Sequence, residues 1–130
     1  MRTLNTESII KVIEATENQR KQAGLLLDSF IDPVVFEKLV NAGQLSASAI
    51  CKNNKALYVV WFGLNLDGGL HVNGAAQLGS ETDTDLLFSA IEQIGKQYPY
   101  VSFCTKRAGM IKNASSRGYV ADCVFLKKVK

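Results

Sequence analysis

Histidine and cysteine are scarce in this sequence, which narrows the chemistry that it can carry. The chain of 130 residues includes one histidine, His71, and three cysteines. A single histidine excludes a metal site built from several imidazoles, and no cysteine spacing matches a zinc site. An odd number of cysteines argues against a disulfide framework and indicates a reducing compartment. We therefore expect a cytoplasmic protein without a metal ion.

Long apolar segments are also missing. The longest uninterrupted apolar run covers residues 56–63, far short of the roughly 20 residues that a membrane-spanning helix needs. The first residues, Met1 to Glu7, lack the apolar stretch of a secretory signal. These absences predict a protein that makes no contact with a membrane.

What remains is the composition of a globular protein. Hydrophobic residues make up 47% and charged residues 21% of the chain, which is typical of folded domains. The only prolines are Pro33 and Pro99, and no repeat or linker-like segment interrupts the chain. We therefore expect a single domain over residues 1–130.

Positive charge is concentrated in the last part of the sequence. Residues 101–130 hold seven lysines and arginines but only one acidic residue, Asp122. A basic cluster of this kind can form a surface for nucleic acid or for an acidic partner. The candidate residues are Lys106, Arg107, Lys112 and Arg117. The alternative is a solvated face without a specific partner, which is the usual role of a charge run.

Hydrophobic periodicity and capping residues predict alternating helices and strands. The predicted helices cover residues 7–27, 33–42, 83–98 and 110–117, with Asn5 or Thr6, Asp32, and Thr82 or Asp83 as caps of the first three. The predicted strands cover residues 46–52, 57–62, 70–78, 100–104 and 119–129, and the first three form an antiparallel meander. The strand–helix–strand order that follows implies a parallel pair within the same sheet. The predicted fold class is α/β (α+β), with a mixed, mostly antiparallel sheet and helices on both faces.

This order of elements resembles the GNAT acyltransferase superfamily over about residues 25–130. The local pattern that carries the resemblance runs from Arg107 to Tyr119 and ends in a Gly-aromatic pair, Gly118-Tyr119. The segment from Thr105 to Gly109 is more loosely similar to small phage-encoded GNAT-like proteins. The resemblance implies a domain that binds acyl-CoA. It also implies a short strand ahead of the first helix, which here only residues 2–4 could supply.

The resemblance further implies a loop that holds the CoA diphosphate before the third helix. Free backbone amides attract the anion there, and glycine lets the backbone approach it. The corresponding residues are Gln77, Leu78, Gly79, Ser80, Glu81 and Thr82. Glu81, Asp83 and Asp85 add three carboxylates without a basic residue among them, and each carboxylate near a phosphate charge costs about 1 kcal/mol or more. We expect weakened diphosphate binding, unless these acids merely begin a helix.

Acyl transfer also requires an acid for the departing thiolate and a base for the amine. The resemblance implies a tyrosine four residues before Gly118, where this chain has Ala114, and alanine cannot donate a proton. Tyr119 is the remaining candidate for the acid, against a role as a packed core aromatic. The candidates for the base are Glu81, Asp67 and His71, or no residue at all, and a lone histidine on a strand is usually structural.

The three cysteines, Cys51, Cys104 and Cys123, lie in apolar strand segments. We expect them to be buried and to act as small hydrophobic residues. A nucleophilic pair of Cys104 with His71 remains open, but no motif supports it.

Three functions follow, in order of preference. The first is a catalytically degenerate GNAT-like domain without a cofactor, which acts through contacts with a protein partner or a second copy, as a phage accessory or virion-associated protein. The second is an active N-acyltransferase that uses acetyl-CoA or another acyl-CoA. The third is a nucleic-acid-binding module that uses the basic segment.

Overall fold

The structure, a computed structural model, describes residues 10–27, 32–105, 108–121 and 128. The elements follow in this order: β1 (Ile10–Glu14), α1 (Glu17–Gly24), α2 (Pro33–Asn41), β2 (Ser46–Lys52), β3 (Lys55–Leu64), β4 (Leu70–Gln77), α3 (Thr84–Gly95), β5 (Val101–Phe103) and α4 (Ala108–Ser116). Residues 119–121 form no strand, and the rest of the predicted last strand lies outside the described residues.

The first predicted helix is wrong in its first half. Ile10–Glu14 forms a strand that pairs antiparallel with β2. The apolar spacing of this segment fits a helix or a strand, and its β-branched residues favour the strand once β2 is available as a partner. Helix α1 begins only after Thr16. The side chain of Thr16 accepts from the Gln19 amide at 3.1 Å, and the Gln19 side chain accepts from the Thr16 amide at 2.9 Å. The strand expected at residues 2–4 lies outside the described residues.

Local signals predicted α2 and the β2–β3 hairpin correctly. Asp32 caps α2 by accepting from the Val34 amide at 2.8 Å, and the left-handed Gly43, with φ of 75°, follows the end of the helix. Asn53 and Asn54 adopt φ values of 52° and 66°, as a tight hairpin turn requires.

The sheet has the strand order β1-β2-β3-β4-β5, antiparallel except for the parallel pair β4–β5. One face carries Ala49, Val59 and Trp61, which pack with Phe36 of α2. The other face carries Val60 and Val72 and packs against α3 through residues such as Leu87 and Ile91. The mixed sheet with helices on both faces is therefore confirmed. Strand β4 contributes residues to the packing on both faces and forms the parallel pair with β5.

Three sequence expectations concern membranes, metals and cysteines. Within the described residues, no helix has the length and apolar character to cross a membrane. The same residues contain no group of three or more His, Cys, Asp or Glu side chains that could hold a metal ion. Cys51 is buried, as expected, but Cys104 is exposed because it lies just beyond the end of β5. Cys123 lies outside the described residues.

Candidate functional site

The parallel strands β4 and β5 separate after three residue pairs. The last pair is Val72 with Phe103, where β5 ends, while β4 continues to Gln77. At the same point β4 carries one residue more than β3, since Trp61 pairs with Gly74 but Phe62 pairs with Val72. Such bulges change the direction of the strand and are common next to active sites. From this separation and the bulge we infer a cleft between the two strands, toward the carboxyl end of β4.

The predicted phosphate loop begins where β4 ends. Gln77 donates from Nε2 to the Gly79 carbonyl at 3.1 Å, and the amide of the buried Leu78 donates to the Leu57 carbonyl at 2.7 Å. Gly79 has φ of +81°, and a Cβ added to it would meet no heavy atom within 4 Å. Ser80, Glu81 and Thr82 are exposed. The amides of residues 79–82 donate to no acceptor in the described part of the chain, so they are available to an anion.

The acids of this loop are paired with lysines of the β2–β3 hairpin. Glu81 lies 3.4 Å from Lys55 Nζ, and Asp83 lies 3.0 Å from Lys52 Nζ. Asp83 also caps α3 by accepting from the Leu86 amide at 3.0 Å. This capping bond, and then Lys52, lower the pKa of Asp83. The sequence places no basic residue among these acids, so their charge was expected to be uncompensated. In the structure, the hairpin supplies two lysines that lie about thirty residues away in sequence.

Arg117 compensates the third acid and fastens the end of α4 to α3. Its guanidinium lies 3.6 Å from Asp85, donates to Glu92 at 3.1 Å and to Ser89 at 3.0 Å, and stacks over the Phe88 ring. These contacts raise the pKa of Arg117, chiefly through the hydrogen bond to Glu92.

The predicted basic surface therefore does not have Arg117 as a free cation. Of its other members, Lys112 is exposed on α4, and Lys106 and Arg107 lie outside the described residues.

The only histidine of the sequence lies at the other end of β4. His71 pairs with Ser102 across the parallel strands, and its Nδ1 lies 2.8 Å from Ser102 Oγ. The ring is partly buried, and this burial lowers the pKa of His71 below its ordinary value. The residue is two positions before the bulge, so it lies beside the cleft and is mostly neutral at pH 7.

Tyr119 lies on the opposite face of the sheet at the point where β5 ends. Its ring packs edge-on against Phe103 and Phe88, with centroid distances of 5.4 and 5.9 Å. Burial raises the pKa of Tyr119, so its phenol stays protonated at neutral pH. Ala114 occupies the position where the resemblance implies a proton donor, and it is buried. Its carbonyl oxygen accepts a hydrogen bond from the Tyr119 amide at 3.0 Å.

Asp67 and Cys104 are the remaining predicted candidates. Asp67 lies in the β3–β4 turn and accepts hydrogen bonds from the Tyr100 phenol and the Gly69 amide. These two bonds, the phenol first, lower the pKa of Asp67. Cys104 follows β5 directly, and the hydrogen-bond partner of His71 is Ser102 rather than this thiol. His71 and Tyr119 thus lie on opposite faces of the sheet, near the last residue pair of β4 and β5.

Solved structures resemble the whole chain, although no protein-family model and no curated protein matches its sequence. The aminoglycoside N-acetyltransferase AAC(6')-Iy in complex with CoA aligns with 97% of this chain and 99% of its own, with a TM-score of 0.61 and 14% identity. The apo enzyme AAC(6')-IG from Acinetobacter haemolyticus aligns with 92% of this chain and 99% of its own, with a TM-score of 0.56 and 15% identity. This chain has a GNAT-like fold.

A GNAT-like fold does not by itself assign an activity. A protein described as a transcriptional regulator from Bacillus halodurans C-125 aligns with 94% of this chain and 100% of its own, with a TM-score of 0.61 and 15% identity. The fold expectation from the sequence is confirmed, whereas the likeness to phage-encoded proteins stays a prediction. The function therefore depends on the chemistry of the cleft.

Proposed function

We propose that this chain is an acyl-CoA-dependent N-acyltransferase. The observation that carries the proposal is the cleft between β4 and β5, which leads to a loop with four consecutive amides that lack an acceptor within the described residues. A diphosphate suits such amides, because the dipoles of the following helix leave positive potential at its start. AAC(6')-Iy has been solved with CoA and with a bisubstrate analogue, which supports the same donor here.

The basic partners of the loop acids make binding of acyl-CoA more favourable than the sequence alone indicates. The carboxylates of Glu81, Asp83 and Asp85 each have a cationic partner. The two lysines balance Glu81 and Asp83, whereas Arg117 is shared between Asp85 and Glu92, so most of the acidic charge beside the loop amides is compensated. The exposed pair of Glu81 with Lys55 is held only by a weak surface interaction, so Lys55 can turn to an arriving phosphate.

In the proposed reaction, the acyl group passes from the CoA sulfur to an amine. The amine nitrogen attacks the thioester carbonyl carbon and loses a proton, and the C–S bond breaks to release the thiolate. His71 is the base, because its lowered pKa leaves the imidazole neutral and able to accept a proton at pH 7.

Tyr119 is the acid that protonates the thiolate. Its phenol carries a proton at neutral pH, and its ring lies beside Phe103, where β5 ends. The base and the acid lie on opposite faces of the sheet. In the reaction, the amine attacks the carbonyl carbon to form a tetrahedral intermediate, which then releases the thiolate, so both groups would have to reach the thioester through the gap where β4 and β5 separate.

The test combines calorimetric titration with acetyl-CoA and an assay of free thiol release in the presence of small amines. We expect a dissociation constant in the micromolar range or tighter and release of thiol that depends on the amine. No measurable heat with millimolar acetyl-CoA would contradict the proposal. It would favour the catalytically degenerate domain that acts through protein contacts.

Tyr119→Phe separates chemistry from binding. The phenylalanine keeps the edge-on packing with Phe88 and Phe103 but has no proton to donate, so we expect turnover to fall by roughly 10²–10⁴-fold with an unchanged affinity for acetyl-CoA. Tyr98→Phe, three residues beyond the end of α3, is the matched control and should turn over normally. An unchanged rate for Tyr119→Phe would remove this residue from the mechanism.

A further inference from the structure

A chain of polar side chains connects the β3–β4 turn to His71. The Tyr100 phenol donates to an Asp67 carboxylate oxygen. The side-chain amide nitrogen of Asn65 lies 3.1 Å from Tyr100 Oη and 3.3 Å from Ser102 Oγ. Ser102 Oγ lies 2.8 Å from His71 Nδ1. No motif in the sequence brings these five residues together.

The direction of each hydrogen bond follows from counting donors and acceptors. An ionised carboxylate only accepts, so the Tyr100 proton points to Asp67. Asn65 then uses its two amide hydrogens on Tyr100 and Ser102. The Ser102 hydroxyl thus receives one hydrogen bond, and among the described residues the acceptor left for its own proton is His71 Nδ1. With the hydroxyl donating to it, Nδ1 is the acceptor, and the proton of the neutral ring is on Nε2.

This tautomer has a consequence for the proposed reaction, on which the inference rests. With Nε2 protonated, the only basic nitrogen of His71 is Nδ1, and the Ser102 hydroxyl covers it. We propose that Ser102 is a further catalytic residue, which receives the amine proton at Oγ and passes its own hydroxyl proton to His71 Nδ1. Asn65, Tyr100 and Asp67 are positioning residues that hold the hydroxyl in this direction.

The step balances. The lone pair of the amine nitrogen forms the C–N bond, and an N–H bond then breaks and leaves its electron pair on nitrogen as the lone pair of the amide product. Ser102 gains one proton and gives one away, so it is unchanged, while His71 becomes an imidazolium. Ser102 suits the role by position, since it lies on β5, directly beside His71 and one residue before the end of the strand.

The presence of one histidine makes the test direct. A long-range ¹⁵N–¹H spectrum of the wild-type chain at pH 7.5 contains a single imidazole, whose protonated and unprotonated nitrogens differ clearly in chemical shift. We expect Nε2 to be protonated and Nδ1 to be unprotonated. A ring protonated on Nδ1 would overturn the relay, whatever the activity of the protein.

Substitutions connect the tautomer to the reaction. Ser102→Ala should give a mixture of tautomers and lower kcat about 100-fold, with an unchanged KM for acyl-CoA. Ser102→Thr keeps the hydroxyl and suits a strand, so it should recover most of the rate. Ser48→Ala, on β2, is the matched control. Full activity in Ser102→Ala would overturn the relay.

The proposed function and the relay fail in distinguishable ways. If the wild-type chain acylates amines but His71 is protonated on Nδ1, the relay alone is wrong. If the wild-type chain binds acetyl-CoA yet acylates no amine, the proposed function is wrong and the relay is wrong with it. An Asn65→Leu variant should shift the tautomer without any substrate, which measures the positioning role by itself.

Discussion

The two ends of β4 are built from different chemical groups. At the amino end, side chains from three segments form a hydrogen-bond chain that reaches His71. At the carboxyl end, the main-chain amides of residues 79–82 have no acceptor among the described residues, and the neighbouring acidic side chains are paired with lysines. The comparison teaches that the first end is suited to move a proton, whereas the second is suited to hold an anion.

The largest expected effect tests the amino end. His71→Gln removes the base but retains a polar side chain of similar size, so we expect kcat to fall by roughly 10²–10⁴-fold. Affinity for acetyl-CoA, measured by calorimetry, should not change because the predicted phosphate loop lies at the other end of β4. A weakened acetyl-CoA affinity would mean that the two ends are not separate.

A smaller effect is expected at the carboxyl end. Gly79 has positive φ, and a Cβ atom at this position would have no neighbour within 4 Å, so Gly79→Val strains only the backbone, by about 1–3 kcal/mol. We expect the loop to rearrange and the acetyl-CoA dissociation constant to rise about tenfold or more. Gly43→Val imposes the same strain after α2, and its acetyl-CoA affinity should match wild type.

Substitutions of Glu81 and Lys55 should change acetyl-CoA affinity less than Gly79→Val does, and in opposite directions. Glu81→Gln removes the exposed competitor for Lys55, and we expect acetyl-CoA to bind about two- to fivefold more tightly. Lys55→Gln leaves Glu81 uncompensated and should weaken binding by a similar factor. Titrations at low and high salt supply the control, since both effects should shrink as salt screens the charges. Two substitutions with the same sign would contradict the pairing.

The smallest expected effect is a change of stability with pH. Burial lowers the pKa of His71 below the unfolded value of 6.5, so the unfolded chain binds more protons just below pH 6.5. The free energy of unfolding should therefore be constant above pH 6.5 and decrease as the pH falls through this window. Chemical denaturation of wild type and His71→Gln would reveal the effect, because the variant should lack this decrease. Parallel curves would mean that His71 is not buried in the folded state.

Local signals were enough to predict most of the fold. Caps and turn residues such as Asp32, Asn53 and Asp83 act within a few positions, so they can be recognised in sequence. Residues 10–14 could not be assigned in this way, because their apolar pattern fits a helix as well as a strand. Only the pairing with β2, about forty residues away, decides between them.

The site was less predictable for the same reason. Gly79, His71 and Tyr119 were candidates because their residue types carry recognisable chemistry. The lysines that compensate Glu81 and Asp83, and the serine that contacts His71, come from other strands. Lysines on either side of a predicted Asn-Asn turn were the available signal, but their partners depend on how the hairpin packs beside the loop.

Arg117 has a consequence for any attempt to redesign this protein. One guanidinium contacts Asp85 at the start of α3 and Glu92 further along it, while the chain continues from Arg117 to Tyr119 within two residues. The Arg117 side chain thus influences both the position of the Tyr119 phenol and the charge beside the predicted phosphate loop. Substitutions selected to change one of these features should also change the other. Useful variants are therefore expected to carry several substitutions that compensate one another.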